Sequence, residues 1–202
     1  MTKIILVRHG ETQWNKDDIF RGHIDVPLNE KGINQAQATG KALKNMKIDV
    51  VYSSPLSRTM VTAENIAKYH NLKVEICEGL KDLNFGVWQG KSKLEVSESY
   101  KDLYELWKNS PHLVQFPEGE NLNLVRERSL KTLFDLINIH LNQTIVIVSH
   151  RVVCKVLLCT ILGLDNSHFW NITQNTCAIN IFRYENNKFI IDLINDTCHL
   201  NN

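Results

Sequence analysis

The octapeptide Ile4-Ile5-Leu6-Val7-Arg8-His9-Gly10-Glu11 joins four apolar residues directly to an arginine and a histidine. Consecutive apolar residues predict a strand buried on both faces, as in a parallel sheet. Open α/β sheets keep their chemistry in the crevice outside the carboxyl ends of the strands. An imidazole there can attack a phosphoryl group while a neighbouring guanidinium holds the phosphoryl oxygens. A lone Arg-His pair can also merely end a strand. The residues at the other strand ends must therefore distinguish a phosphoryl-transfer site from a strand ending without function.

The composition is that of an ordinary globular protein. Of 202 residues, 43% are hydrophobic and 22% charged, which predicts one domain over residues 1–202. The 23 basic and 22 acidic side chains give a net charge of +1, so charge favours neither a nucleic acid nor a membrane partner. Any anion-binding site must therefore be local.

The chain shows no targeting or membrane-spanning pattern. The apolar run before Arg8 is too short for a secretory signal, and residues 152–164 are interrupted by Lys155 and are fewer than the ~20 that a span needs. The five cysteines lack C-x-x-C spacing, which predicts no disulfides. We therefore expect a soluble, cytoplasmic protein without a metal site or cofactor.

Strand-like and helical patterns alternate along the chain. Strands are predicted at residues 3–7, 50–53, 73–76, 144–149, 178–184 and 189–193. Helices are predicted at residues 30–42 after Asn29, at 57–69, after Asn121, and at 152–162 before Gly163. This alternation predicts an α/β three-layer sandwich, with a mostly parallel central sheet, helices on both faces and an antiparallel edge strand.

Residues 91–115 interrupt the alternation with a long segment that carries three large aromatic side chains, Tyr100, Tyr104 and Trp107. Long connections in compact domains usually serve a function. We expect a partly helical cap insertion near the active site, although a surface helix with its own small apolar cluster fits equally well.

Several predicted strands end in groups that can bind phosphate. The first is followed by Arg8 and His9, the second leads to Arg58, the third is followed by Asp82, and the fourth ends at His150. Parallel strands place these ends at one edge of the sheet. Two arginines and two histidines there predict a cationic pocket for a phosphomonoester dianion.

Short segments in a fixed order along the chain point to a family. They are Leu6-Val7-Arg8-His9-Gly10-Glu11-Thr12, Asn15, Gly22, Asp25-Val26-Pro27-Leu28, Gly32, Tyr52-Ser53-Ser54-Pro55-Leu56-Ser57-Arg58-Thr59, Phe85-Gly86-Val87-Trp88-Gln89-Gly90, Gly119-Glu120 and Val148-Ser149-His150. This set resembles the histidine phosphatase superfamily, which includes cofactor-dependent phosphoglycerate mutases and many phosphatases. The similarity spans nearly the whole chain.

The resemblance implies catalysis through a phosphohistidine. His9 would be the nucleophile, and Arg8, Arg58 and His150 would bind the phosphoryl oxygens with help from Asn15. Physical chemistry agrees, because fixed cationic donors stabilise the charge on the equatorial oxygens without a metal ion.

The leaving alkoxide needs a proton, which a glutamate near the glycine-tryptophan segment usually supplies in this family. Here that position corresponds to Asp82, which has the same chemistry but a shorter reach. Because geometry decides before acidity, Glu78 and Glu11 remain alternatives to Asp82 as the general acid and base.

The cap favours a phosphatase over a mutase. Mutases of the family carry cap arginines for the substrate carboxylate, whereas no arginine occurs between Gly90 and Val125. The segments His168-Phe169-Trp170 and 193–200 are similar to bacterial metal-independent phosphoserine phosphatases, although that branch tends to have histidine in place of Phe85.

We therefore expect a phosphoserine phosphatase, with a cofactor-dependent phosphoglycerate mutase, or a phosphatase for α-ribazole phosphate or a sugar phosphate, as alternatives. Candidate substrate contacts are Arg21, Gly22, His23, Phe85 and His199. Two alternatives lie outside this enzyme class: a phosphate-binding pseudoenzyme and a homodimeric scaffold.

Overall fold

A six-stranded sheet lies at the centre of the computed structural model, which describes residues 1–201 and leaves residue 202 outside the described part. Its strands are β1 (Thr2–Arg8), β2 (Val50–Ser53), β3 (Val74–Ile76), β4 (Thr144–Ser149), β5 (Ile179–Glu185) and β6 (Lys188–Asp196). Their order is β3-β2-β4-β1-β5-β6. The first four are parallel, while β5 runs antiparallel to β1 and β6 antiparallel to β5.

Helices cover both faces of this sheet, which confirms the predicted fold class. They are α1 (Gln13–Lys16), α2 (Glu30–Leu43), α3 (Ser57–Ala67), α4 (Lys93–Ser99), α5 (Lys101–Asn109), α6 (Leu122–Ile139) and α7 (Arg151–Ile161). The predicted caps of α2 and α6 are confirmed, since Asn29 accepts from the Gly32 amide at 2.8 Å and Asn121 from the Leu124 amide at 2.9 Å. Within residues 1–201, no helix has the length and apolar character needed to cross a membrane.

Strand β1 shows how the sequence builds the two outer layers. Its four apolar residues are completely buried. Ile4 and Leu6 share a hydrophobic core with α6 and α7, whereas Ile5 and Val7 pack with α2 and α3 on the other face. Alternate side chains of a strand point to opposite faces, so a run of consecutive apolar residues is what a covered central strand requires.

The antiparallel edge is a tight hairpin. Asn186 and Asn187 connect β5 to β6 with φ values of 49° and 59°. Two successive residues with positive φ suit the right-handed twist of the paired strands, and asparagine tolerates that conformation better than most side chains. The predicted antiparallel edge is therefore confirmed.

The segment at residues 91–115 forms α4, α5 and a 3-10 turn at Pro111–Leu113. Three of its buried side chains, Val96, Trp107 and Val114, belong to the same core as α6 and α7. Trp107 contacts Phe116 and Phe169 with ring centroids 5.3 and 5.4 Å apart. The segment is therefore anchored in the main core and does not form a separate apolar cluster.

Candidate active site

The carboxyl ends of three neighbouring strands form the floor of the site. In the parallel register Arg8 of β1 lies opposite Ser149 of β4, and Ser53 of β2 lies opposite Val148. The His9 amide then donates to the Ser149 carbonyl oxygen at 3.0 Å. Residues that follow each strand are thereby brought together at one edge, as the pattern of strand ends predicted.

His9 is fully buried at the centre of this edge. Its Nδ1 donates to the Gly10 carbonyl oxygen at 2.6 Å, while its Nε2 has no hydrogen-bond partner. Burial, followed by the nearby charges of Arg58 and Arg8, holds the pKa of His9 well below its usual range. The neutral ring thus keeps its proton on Nδ1 and presents the lone pair of Nε2, which is the state a nucleophile needs.

Arg58 is held rigidly beside His9. This fully buried side chain donates from Nη1 to the Ile24 carbonyl at 2.9 Å, from Nη2 to the Gly22 carbonyl at 2.8 Å, and from Nε to Nδ1 of His150 at 3.3 Å. Burial lowers its pKa, although the charge of Asp82 acts in the opposite direction. A guanidinium fixed in this way needs no reorganisation when a phosphoryl group develops charge.

His150 and Asp82 complete the cluster around Arg58. The ring of His150 lies edge-on to His9 with centroids 5.3 Å apart, and its Nε2 lies 2.8 Å from the Ser54 hydroxyl oxygen. Burial and the charge of Arg58 lower the pKa of His150 well below its usual range. Oδ2 of Asp82 lies 3.8 Å from both Nη2 of Arg58 and Nδ1 of His150. A carboxyl group therefore lies where the proposed acid must act.

The loop that carries Asp82 is anchored through its backbone. Arg128 donates to the carbonyl oxygens of Gly79, Lys81 and Asp82 at 2.7 to 3.0 Å, and its other face pairs with Glu120 at 2.8 Å. Nε2 of His23 also lies 2.9 Å from the Asp82 carbonyl oxygen. His23 therefore contacts the backbone of the loop that carries Asp82.

Two further guanidinium groups lie close to His9. Arg8 donates from Nη1 to the Gln174 carbonyl at 2.6 Å, and Arg21 lies with Nη1 3.4 Å from the Thr12 hydroxyl. Burial lowers the pKa of Arg8 to about 9 and that of Arg21 to about 10, so both remain charged near neutral pH. Each leaves a buried Nε without a partner. Arg21, predicted as a substrate contact, therefore belongs to the same cationic group.

Asn15 and Gly22 act mainly through local backbone structure. The Asn15 side-chain oxygen caps the first turn of α1 by accepting from the amide and hydroxyl of Thr12 at 3.0 Å, while Asn15 lines the same cavity as Arg8. Gly22 has φ of +54°, a conformation that glycine adopts without strain. Its carbonyl oxygen then accepts from Nη2 of Arg58, so the glycine helps to hold the guanidinium in place.

Two predicted substrate contacts are corrected by the structure. Phe85 is only 5% exposed and packs edge-to-face against Phe20 and Phe116 with centroids 5.1 Å apart, so its apolar ring joins the core. His199 lies against α2, with Nε2 3.1 Å from the Thr39 hydroxyl. The end of the chain does reach the cavity lined by Arg8 and Asn15, but through residues 197, 200 and 201.

The alternative acids are engaged elsewhere. Glu11 forms an ion pair with Lys31 at 2.9 Å and accepts from Asn29 at 3.0 Å; although partial burial raises its pKa, these hydrogen bonds outweigh burial and lower it. Glu78 is exposed and pairs with Lys81 at 3.1 Å. Of the three candidates, Asp82 is the one whose carboxyl group lies beside Arg58 and His150.

Arg151 and Lys155 on α7 were not identified from the sequence. Arg151 follows His150 directly and shares a cavity of about 510 Å³ with Arg8 and Asn15. Lys155 is 5% exposed and lies with Nζ 4.4 Å from the ring centroid of Trp170; burial, followed by Arg151, lowers its pKa to about 7. The only available signal was that Lys155 interrupts an apolar helix.

The fold and the site together define a phosphatase class: an α/β enzyme whose buried histidine lies among arginines at the carboxyl edge of a parallel sheet. The chain belongs to branch 1 of the histidine phosphatase superfamily, whose model matches residues 4–197. The resemblance seen in the sequence is thereby confirmed.

Individual relatives cover almost the entire chain. Phosphoserine phosphatase 1 of Hydrogenobacter thermophilus is 38% identical over 200 residues, which are 99% of this chain and 95% of that protein. The structure of YhfR from Bacillus stearothermophilus matches with a TM-score of 0.95 at 28% identity, covering 99% of this chain and 100% of that one. A phosphoserine phosphatase of Entamoeba histolytica, solved in complex with phosphoserine, matches with a TM-score of 0.89 at 29% identity and the same coverage.

The two buried histidines predict a loss of stability in mild acid. Their pKa values are lower in the folded state than the usual 6.5, so the unfolded chain binds more protons below that pH. The contribution of these two histidines to the free energy of unfolding is therefore fully present above about pH 6.5. It is lost as the pH is lowered, by up to about 1.4 kcal/mol per pH unit for each histidine.

Urea unfolding between pH 7.5 and 5.5 measures this dependence. The His9→Ala variant lacks one of these groups, so its free energy of unfolding should change less steeply with pH than that of the parent chain. Equal slopes for the variant and the parent chain would show that His9 does not titrate as the structure indicates.

Proposed function

We propose that this chain hydrolyses small phosphomonoesters through a phosphohistidine at His9, with phosphoserine as its principal substrate. One observation carries the proposal: Nδ1 of His9 is committed to Gly10, and the unpartnered Nε2 is buried among guanidinium groups. An imidazole in this state is a nucleophile at neutral pH, and the surrounding cations match the charge of a phosphomonoester.

In the first step Nε2 of His9 attacks phosphorus and the bond from phosphorus to the ester oxygen breaks. Arg8, Arg58 and His150 bind the three equatorial oxygens. Asp82, in its acid form, gives its proton to the leaving oxygen, so that the alcohol departs neutral. The products of this step are the alcohol, a phosphohistidine and the Asp82 carboxylate.

In the second step Asp82 acts as the base. Its carboxylate takes a proton from a water molecule, whose oxygen attacks phosphorus while the bond from phosphorus to Nε2 breaks. Inorganic phosphate leaves, and His9 and Asp82 return to their initial protonation states. The Asp82 carboxyl group thus serves as the acid in the first step and as the base in the second. Its position beside Arg58 and His150 therefore matters more than the shorter reach of an aspartate side chain.

The cap supports hydrolysis over phosphate transfer to a bound product. It contains no arginine between Gly90 and Val125, and two of its lysines are already paired: Lys93 lies 2.6 Å from Asp18, and Lys108 lies 2.8 Å from Glu105. If either lysine were to bind the carboxylate of a substrate, its ion pair would first have to break. This arrangement favours release of phosphate to water.

Phosphoserine is favoured by the names of the relatives, one of 38% identity and one solved with that ligand. Phe85 does not argue against it in the way the sequence implied, because the ring lies in the core and leaves the cavity to other residues. The amino acid part of the substrate must then be recognised by polar groups outside the Phe85 position.

A panel of phosphorylated metabolites tests this proposal in the presence of EDTA. We expect phosphate release from phosphoserine at the highest kcat/KM, with slower release from sugar phosphates and 3-phosphoglycerate. Exchange of phosphate between positions of phosphoglycerate, without release, would instead identify a mutase. Failure of the parent chain to hydrolyse any ester, including an aryl phosphate, would support the alternative of a phosphate-binding pseudoenzyme.

A further inference from the structure

The guanidinium of Arg151 lies, without an anionic partner, in the cavity that Arg8 and Asn15 also line. Arg151 is the first residue of α7 and follows His150 directly. Among residues 1–201 its side chain forms no ion pair and no hydrogen bond. Its Cζ lies 5.9 Å from the centroid of the Trp170 ring. Burial lowers its pKa, whereas Asp82 acts to raise it, which places the group within electrostatic range of the acid.

Charge balance shows that a phosphate alone does not match this site. Arg8, Arg21, Arg58 and Arg151 are close enough to shift one another's pKa, and Asp82 is the carboxylate that acts on all four. When Asp82 carries its proton, as the first chemical step requires, a phosphomonoester dianion neutralises two of the four positive charges. The cluster can therefore accept a further anionic group.

The space beside Arg151 suits a small group. Arg151, Arg21 and Asn15 line a recess of about 60 Å³, far below the roughly 300 Å³ at which pockets for whole ligands begin. Asp18 also lines it, but Asp18 is paired with Lys93 at 2.6 Å. A carboxylate fits this recess in size and charge, whereas a sugar or a base does not fit in size.

We propose that Arg151 binds a carboxylate of the substrate whose phosphoryl group His9 attacks. The inference rests on the proposed phosphatase function and names the substrate class: phosphomonoesters that carry a carboxylate a few bonds from the phosphate. A guanidinium binds a carboxylate through paired hydrogen bonds, which orients the ester as well as holding it.

Two substrates that differ only in the carboxylate test the proposal. Phosphoserine and phosphoethanolamine share the phosphate and the amine. For Arg151→Gln we expect kcat/KM on phosphoserine to fall roughly 10- to 100-fold, the range for loss of a charge-assisted hydrogen bond. On phosphoethanolamine we expect a change of less than about threefold, because no carboxylate is present.

Controls separate this role from folding and from net charge. Arg183→Gln removes an arginine that pairs with Asp192 on the hairpin and should leave both substrates unaffected. Calorimetry on the His9→Ala variant, with and without Arg151→Gln, measures phosphoserine binding independently of turnover and should show a weaker Kd in the double variant. Thermal unfolding verifies that Arg151→Gln folds.

Equal losses on the two substrates would overturn the proposal, because Arg151 would then serve the phosphoryl group or the fold. Unchanged kinetics on both would overturn it as well, as would a metabolite panel in which esters without a carboxylate are preferred. Each of these results leaves the phosphatase intact. Only the absence of any hydrolysis by the parent chain, even of an aryl phosphate, removes the proposed function itself.

Discussion

The His9→Ala variant will lose on the order of 10⁴-fold or more in kcat on every phosphomonoester, because removing the attacking group removes the covalent route. No neighbouring side chain can substitute for it. The other imidazole at this edge, His150, has Nδ1 facing Arg58 and Nε2 facing Ser54. Steady-state release of phosphate from phosphoserine and from an aryl phosphate, with the same enzyme concentration range, measures the loss.

A trapping experiment shows that the lost step is phosphorylation. Parent enzyme mixed with labelled substrate and quenched in alkali should carry an acid-labile phosphate that is absent from His9→Ala. The matched control is His140→Ala, since His140 lies near the amino ends of the strands, where its carbonyl oxygen is 3.3 Å from the Thr2 hydroxyl, and the variant should keep normal turnover. An unreduced yield of phosphoenzyme in His9→Ala would place the nucleophile elsewhere.

The Asp82→Asn variant has the second largest expected effect, and this effect depends on the leaving group. Asparagine keeps the shape and can still accept from the Leu83 amide, which lies 3.0 Å from Oδ1, but it cannot donate an acidic proton. We expect kcat/KM on phosphoserine to fall roughly 10²-fold or more. The kcat/KM of the variant on an aryl phosphate should fall far less, because the phenolate leaves without needing a proton.

The measurement is kcat/KM across a series of esters whose alcohols differ in acidity, since kcat/KM reports the phosphorylation step. Asp82→Asn should depend more steeply on alcohol acidity than the parent enzyme. Asp135→Asn, which removes an exposed carboxylate paired with Lys131 on α6, should reproduce the parent dependence. If Glu78→Gln becomes steeper and Asp82→Asn does not, Glu78 is the acid.

Local patterns were enough to locate most of the secondary structure. The bounds of β2 and β4 agree with the predicted residues 50–53 and 144–149, and the caps of α2 and α6 form as predicted. These features depend on interactions within a few residues: a side chain that caps its own helix, or apolar residues in consecutive order. Helix α3 ends two residues before the predicted position, at Ala67.

The site was only partly accessible from the sequence. His9, Arg58, His150 and Asp82 are brought together by the parallel register of the strands that precede them, a consequence of topology that the alternation of elements already implies. The orientation of Phe85 was not accessible, because its environment comes from aromatic residues distant in sequence.

The residues near the end of the chain show the same limit to what the sequence can predict. His199 was predicted as a substrate contact, yet it packs on Thr39, while residues 197, 200 and 201 line the cavity. In an irregular segment no period relates a residue's number to the direction of its side chain. Which neighbour faces the substrate is therefore decided by packing against α2.

The sequence alone predicts the α/β fold, the family and the chemistry at His9, since each depends on short-range patterns and on the order of the strand ends. Only the tertiary structure shows that Nε2 of His9 is left unpartnered, that Arg128 anchors the Asp82 loop, and that Arg151 faces the cavity without an anion. The physical reason is that burial and charge pairing are sums over residues far apart in the chain. A side chain's chemistry is written in the sequence, but its protonation and its partners depend on what the fold packs around it.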